Sequence, residues 1–326
     1  GKDVSENTLV LSYDCQKNQV LPKVPDQKAY YSRQLYNYNY FTIVEGSSND
    51  KLSTENVFSY TWCEHQHSKG SNEVASCVFH ALNSRVPLRP EISTVRLFAD
   101  GCGGQNKNSI LIGMVSKWLI DHAPPTVFRV ELIFPVTGHS FMPSDRVFAY
   151  FEKEIRKKDV IILPQEYMEI YTNHATVIKL GTDCPVLNWK DTVGEVLKPP
   201  GQWHFKFNAS KRFIISRNKT KTNVLVRGEI FYKSDVTLPK LITKKNMFVS
   251  EINPIPIEKQ NNVKEAKLKD IESLLKSHFG EDWRQLNELS FYNDVLNIPP
   301  AETIAQPGDY YCEHTETFFE DNEIRV

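Results

Sequence analysis

Short apolar blocks punctuated by acids and glycines run through the first half of the chain, and their period changes along it. Leu9–Asp14 (LVLSYD) is strand-like and leads to an acid. Ala29–Glu45 is rich in Tyr with period-two alternation, which predicts one long strand or two, half exposed. After the polar stretch Gly46–Asn56, Val57–Glu64 (VFSYTWCE) predicts a third strand. Helical spacing then takes over: Val74, Cys77, Val78 and Leu82 share one face of Glu73–Asn83. Val95–Asp100 is a buried-strand pattern that ends on an acid and breaks into Gly101, Gly103 and Gly104. Ser109–His122 is a strong helix pattern with Ile110, Leu111, Met114, Trp118 and Leu119 on one side, and Pro124-Pro125 ends it. Val127–Val136 predicts another buried strand, and Asp145–Lys158 an amphipathic helix preceded by Pro143 and Ser144.

The second half is less regular. Ile161–Gly181 is mixed and yields no assignment, and Asn188–Pro200 reads as a polar connection. Strand-like pieces follow at Trp203–Asn208, Arg212–Arg217 and Thr222–Phe231, then a helical hairpin over Glu265–Asn297 joined at Gly280, then an acidic tail over Pro307–Val326. The expected organisation is an α/β domain over 5–183, a basic strand-rich region over 184–262, a helical hairpin over 263–300 and a tail over 301–326.

Three strands followed by helix, strand, helix, strand, helix predict a mixed sheet with helices on its faces. This is the element order of a ribonuclease H-like α/β fold. The acids fall at its element ends: Asp14 closes the first strand, Asp100 the fourth, Glu73 opens the helix between strands three and four, and Asp145 opens the last helix. If strands one and four are neighbours, these carboxylates converge, and such crowding is costly unless a cation neutralises it. Hard oxygen ligands favour Mg²⁺ or Mn²⁺. Two such ions about 4 Å apart would activate a water or 3′-hydroxyl and stabilise the leaving oxygen of a phosphodiester. On this reading Asp14, Asp100 and Asp145 are the metal ligands, Glu73 is a fourth ligand or an orienter of water, and His139 is a proton shuttle. Glu152 and Glu154 compete with Asp145 for the third position. Singly, Glu73 and Asp145 would serve equally well as helix N-terminal charges.

Composition narrows the classes. The 326 residues are 40% hydrophobic and 24% charged with a net charge of −1, a globular rather than disordered balance. Six scattered cysteines suggest a reduced, intracellular protein, and the longest apolar runs are far short of a membrane span. Against the near-neutral whole, residues 205–246 carry eleven Lys and Arg and only two acids, interleaved with Phe205, Phe207, Phe213, Phe231 and Tyr232. That combination suits backbone tracking with base stacking, and Lys211, Arg212, Arg217, Lys219 and Lys221 are the expected nucleic-acid contacts. Gln105, Asn106 and Lys107, at a helix start, suit a phosphate and a base or sugar edge, or else cap the helix. Cys63-x-His65-x-His67 matches no standard zinc spacing, and Gly101-Cys-Gly-Gly lacks the Lys-Ser/Thr of a P-loop.

The segments DGCGGQNKN (100–108), KGSNEVASC (69–77) and GHSFMPSD (138–145) resemble the signature blocks of a family of transposon-derived animal proteins whose shared domain has no assigned function. The resemblance spans roughly residues 8–300. It implies a fold similar to ribonuclease H and to DDE/DDD transposases, and it falls on Asp14, Glu73, Asp100, His139 and Asp145. The last acid is Asp rather than Glu, which leaves strand transfer, DNA hydrolysis and RNA hydrolysis open. The resulting expectation is a divalent-metal-dependent polynucleotidyl transferase or nuclease. It would act on nucleic acid, with DNA favoured over RNA, in the nucleus or elsewhere inside the cell, with no membrane partner. Self-association into a homo-oligomer is the family expectation. The alternative is a domesticated, non-catalytic module that binds nucleic acid or protein.

Overall fold

Alternation of side chains along each strand decides which face of the sheet each one reaches. The structure, a computed structural model, describes residues 7–25, 27–135, 142–231, 237–258 and 263–297. In chain order it forms β1 (Thr8–Cys15), β2 (Gln19–Leu21), α1 (Gln27–Tyr31), β3 (Leu35–Glu45), β4 (Val57–Cys63) and α2 (Ser71–Arg85). There follow β5 (Thr94–Phe98), α3 (Ser109–Asp121), β6 (Arg129–Ile133), α4 (Pro143–Arg156), α5 (Pro164–Thr172), β7 (Thr176–Lys179) and α6 (Trp189–Val196). The chain continues as β8 (Arg212–Arg217), β9 (Val224–Glu229), α7 (Glu265–Phe279) and α8 (Ser290–Asn297). The strands form one mixed sheet in the order β7-β4-β3-β1-β5-β6-β8-β9, with β2 added beside β3. β7 is parallel to β4, β3 is antiparallel to both β4 and β1, β1, β5 and β6 are parallel, and β8 and β9 turn antiparallel again.

The two faces of this sheet are built differently. Leu9, Leu11 and Tyr13 of β1, Val95 and Leu97 of β5, and Val130 and Leu132 of β6 join one core with Val74, Val78, Leu111, Val115, Trp118 and Trp189 of the helices α2, α3 and α6. On the other face, a second core packs Val147 and Phe151 of α4, Tyr171 of α5, Ile271 of α7 and Tyr292 of α8 against Leu35, Val44 and Val57. That core covers only the β3–β4 half. Across β5, β6, β8 and β9 the same face carries a ladder of ion pairs. Glu131 accepts from Arg96 at 2.8 Å and forms an ion pair with Arg212 at 2.8 Å, and Glu229 accepts from Arg212 and Arg227, each at 3.1 Å. Burial pushes the Glu131 carboxyl up, but Arg212 and Arg96 outweigh it and hold it below the usual range.

Several sequence expectations change here. The Tyr-rich stretch from Ala29 is not strand throughout: its first residues form α1, where Ala29 packs with Val24 and Leu274, and β3 begins only at Leu35. The polar connection Asn188–Pro200 contains α6, because Trp189, Val193 and Val196 fall on one buried face while Lys190 and Asp191 dilute the pattern. Ile161–Gly181 resolves into α5 and the edge strand β7. Trp203–Asn208 is no strand. Its aromatics pack edge-on or tilted against one another and against Phe213, with the Trp203 indole donating to the Lys198 carbonyl at 2.8 Å. The basic segment does not make a sheet of its own. β8 pairs with β6 in register Ile133↔Arg212 to Arg129↔Ser216 and extends the sheet that carries the acids. The second half of the helical hairpin is two short 3-10 turns followed by α8. His139 and the acidic tail lie outside the described residues.

The ladder is closely coupled, so breaking it should be costly. Glu131→Ala would leave Arg96 and Arg212 facing each other without their shared partner, with an expected loss of about 3–5 kcal/mol in urea unfolding.

Candidate carboxylate site

The parallel pairing of β1 and β5 runs from Thr8↔Thr94 to Ser12↔Phe98. Carried two residues on, it sets Asp14 beside Asp100. Because Leu11, Tyr13, Leu97 and Ala99 point into the first core, Asp14 and Asp100 point to the other face. Asp14 is also the antiparallel partner of Thr42 on β3. Its Oδ1 accepts from the Cys15 amide at 2.7 Å. Burial, then the charge of Asp100, and less strongly that of Asp145, push the Asp14 carboxyl up to about 7.

Asp100 is held by the loop that follows it. Its Oδ1 accepts from the Cys102 amide at 3.3 Å and from the Asn106 side-chain amide. The loop closes on itself: the Cys102 carbonyl accepts from the backbone amides of Asn106 at 2.8 Å and Lys107 at 2.9 Å. Asn108 then caps α3, accepting from the Leu111 amide at 2.9 Å. Asn106 is 1% exposed, so it is a positioning group for Asp100 rather than the nucleic-acid contact expected from the sequence. Its own Oδ1 is buried without a partner.

The remaining acids divide. Asp145 is in the first turn of α4, which packs on β1, and accepts from the Met142 amide at 2.7 Å. Burial raises its carboxyl above the usual range. Glu152, the competing third acid, is engaged by Gln16 at 3.2 Å and Gln19 at 3.0 Å. Glu154 instead pairs with Lys157 at 2.7 Å on the helix surface. Glu73 departs from its expected role as a ligand. It is 4% exposed and accepts from Ser68 Oγ at 2.9 Å and the Gly70 amide at 3.1 Å, closing the start of α2. Burial raises its carboxyl, and these donors oppose the shift.

What stands near the two strand-end acids instead is Lys69, which the sequence reading did not single out. Its ammonium donates to Asn18 Oδ1 at 3.2 Å and is in electrostatic reach of Asp14, Asp100, Cys15 and Cys102. A second group of residues was also not legible: Ser12, two residues before Asp14 on β1, Thr42, opposite Asp14 on β3, and Ser144, beside Asp145, bury hydroxyls that have no partner. Buried polar atoms of this kind are sites for ordered water or a hydrated ion. Among the described residues, no three His, Cys, Asp or Glu side chains stand in a ready-made metal cage.

The basic residues also divide. Arg212 is 6% exposed within the ion-pair ladder, and the Arg217 guanidinium donates to the carbonyls of Leu119 at 2.7 Å and Ala123 at 2.9 Å, closing the C-terminal end of α3. Both are therefore committed to structure and corrected as surface contacts. Lys219 and Lys221 are exposed in the β8–β9 turn. Lys107 reaches the Asn208 carbonyl at 2.7 Å, and burial and then the nearby Lys211 lower its pKa. Gln105 is half-buried in the same loop.

Fold and site thus define an α/β protein with a paired-carboxylate centre at the carboxyl ends of neighbouring parallel strands. Residues 42–227 match the family described as a domain of unknown function (DUF7869), and the chain belongs to that family. No curated protein and no solved structure matches it. Among the described residues, no helix is long and apolar enough to cross a membrane.

Asp14 gives a signed pH dependence. A carboxyl raised to about 7 in the fold and near 3.9 when unfolded binds more protons folded than unfolded between those values, so its contribution to stability falls as pH rises through that window. Asp14→Asn should remove that penalty. Urea unfolding is expected to show a gain on the order of 2–4 kcal/mol at pH 8 and almost none at pH 4.

Proposed function

We propose that this chain is a divalent-metal-dependent nuclease or polynucleotidyl transferase of transposase origin, built on a ribonuclease H-like sheet. The strand order supports the fold assignment: antiparallel β4-β3-β1 continues into parallel β5 and β6, with the acids at the ends of β1 and β5. The observation that carries the function is the convergence of Asp14 and Asp100 from those two strands, with Asp145 coupled to Asp14 from α4.

The residues fit a hard cation. The donors are carboxylate oxygens, their crowding raises Asp14, and the unpartnered hydroxyls of Ser12, Thr42 and Ser144 suit the water of a hydrated ion. Asp14, Asp100 and Asp145 would hold it. When bound, Mg²⁺ or Mn²⁺ supplies Lewis acidity toward a phosphodiester and lowers the pKa of water. The chain's own residues prepare the site: Asn106 and the Cys102 amide fix Asp100, and the Cys15 amide fixes Asp14. Lys107 and Lys211 crowd two positive charges beside the same loop, which suits a phosphate group. Lys219 and Lys221, in the β8–β9 turn, lie at the other end of the sheet, because Arg212 pairs with Ile133 and Ser216 with Arg129, and they add nothing to that charge. DNA is the favoured substrate, which goes with a nuclear location, and assembly into a homo-oligomer is part of the same reading.

A second reading has one specific observation in its favour. Lys69 already brings a positive charge to the acids, as a non-catalytic, nucleic-acid-binding descendant of such an enzyme would require. Cleavage separates the two. Labelled single-stranded DNA, duplex DNA, RNA and RNA–DNA hybrid, incubated with Mg²⁺ or Mn²⁺, should be cut by the wild type. Asp100→Asn should reduce the rate on the order of a hundredfold or more, and Asn106→Ala by about ten- to a hundredfold. Salt-sensitive binding of all these substrates with no cleavage by the wild type would establish the binding module instead.

A further inference from the structure

The segment KGSNE contains Glu73, expected from the sequence to reach the site, and Lys69, which carried no such expectation, and the structure reverses their roles. Glu73 is turned back along its own helix. With Ser68 Oγ and the Gly70 amide on its two oxygens, it clamps the three residues 68–70 into one conformation. The Trp62 indole adds a third tie, donating to the Ser68 carbonyl at 3.0 Å, and so anchors the segment to β4. Lys69 is the middle residue of that clamped segment. Its side chain crosses to the β1–β2 turn, where it meets Asn18 at 3.2 Å. Asn18 lies four residues beyond Asp14, so the ammonium is held at the end of the strand that delivers the first carboxylate.

We propose that the Lys69 ammonium is the built-in counter-ion of the Asp14–Asp100 pair and competes with a divalent cation for it, so that Lys69 sets how tightly the site holds metal. The counter-ion role stands on the clamp, on the Asn18 contact and on the register of β1 with β5. The competition rests on the metal-site reading of the previous subsection. A half-buried lysine beside two aspartates lowers their repulsion at no cost in coordination geometry. It also occupies the charge-balancing role that a metal would take. The Asn18 contact gives the ammonium a polar partner beside the acids. Lys69 is thus a positioning and charge-balancing residue, and Glu73 acts through it.

The test has two arms that fail separately. In metal-free buffer at pH 8, a double-mutant cycle of Lys69→Gln and Asp100→Asn followed by urea unfolding reads the direct coupling. Lys69→Gln is expected to destabilise the wild type markedly and the Asp100→Asn background little. Equal effects in both backgrounds would overturn the counter-ion role. In the second arm, Mn²⁺ binding is followed by electron paramagnetic resonance of the free ion. Lys69→Gln is expected to bind about tenfold more tightly than wild type, and Lys69→Arg, which keeps the charge, like wild type. Equal or weaker binding by Lys69→Gln would overturn the competition. Coupling in the first arm with no Mn²⁺ binding by either protein would make Lys69 a permanent counter-ion and overturn both the competition and the metal-site reading, leaving the counter-ion role standing.

Discussion

Repulsion between Asp14 and Asp100 is the constraint around which this end of the molecule is arranged. The parallel register of β1 and β5 gives the two carboxylates no means of separating, because Tyr13 and Ala99 beneath them are locked in the core and are each 1% exposed. Every nearby donor works against that repulsion. The Cys15 and Cys102 amides, the Asn106 amide and the Lys69 ammonium all bring positive charge or partial positive charge to the pair. Even so, Asp14 remains raised to about 7. A fold under no functional demand would lower this cost simply by replacing one acid with its amide, which is isosteric and uncharged.

The same principle, applied with pairing instead of repulsion, explains the other half of that sheet face. Glu131 and Glu229 are almost wholly enclosed, yet each lies between arginines. Such ladders add little net stability over an apolar core, but removing one member exposes the rest to an uncompensated buried charge. The ladder takes Arg212 and Arg227 out of the basic segment, and α3 takes Arg217. The excess of positive charge over residues 205–246 is therefore not one surface. Part of it is internal structure, part sits in the Lys219–Lys221 turn at the far end of the sheet, and what remains available near the acids is Lys107 and Lys211.

The strands that deliver Asp14 and Asp100 were legible because an apolar run ending on an acid has a single physical meaning: a buried strand whose last side chain leaves the core. The helix α3 was legible for the same reason, with one apolar face and prolines beyond it. Helix α6 was not, since three buried positions in a short segment are masked by Lys190 and Asp191. Neither the burial of Asn106 nor the placement of Lys69 could be read, because an amide or a lysine in a polar loop has no periodicity to reveal its direction. Trp203, Phe205 and Phe207 alternate as strand residues do, but ring-on-ring packing satisfies that alternation without a backbone ladder.

The reversal of Glu73 and Lys69 alters the electrostatics expected of the centre. Four converging carboxylates would carry four negative charges and call for two divalent ions. With Glu73 spent on the α2 clamp and Lys69 brought in, the groups that reach one another electrostatically are Asp14, Asp100, Asp145 and one ammonium. Fully ionised, that set has a charge of minus two, which a single divalent ion balances. A second ion would then be favoured only once a phosphodiester supplied further negative charge, so that under the proposed reading loading of the site and arrival of the substrate are coupled by charge balance alone.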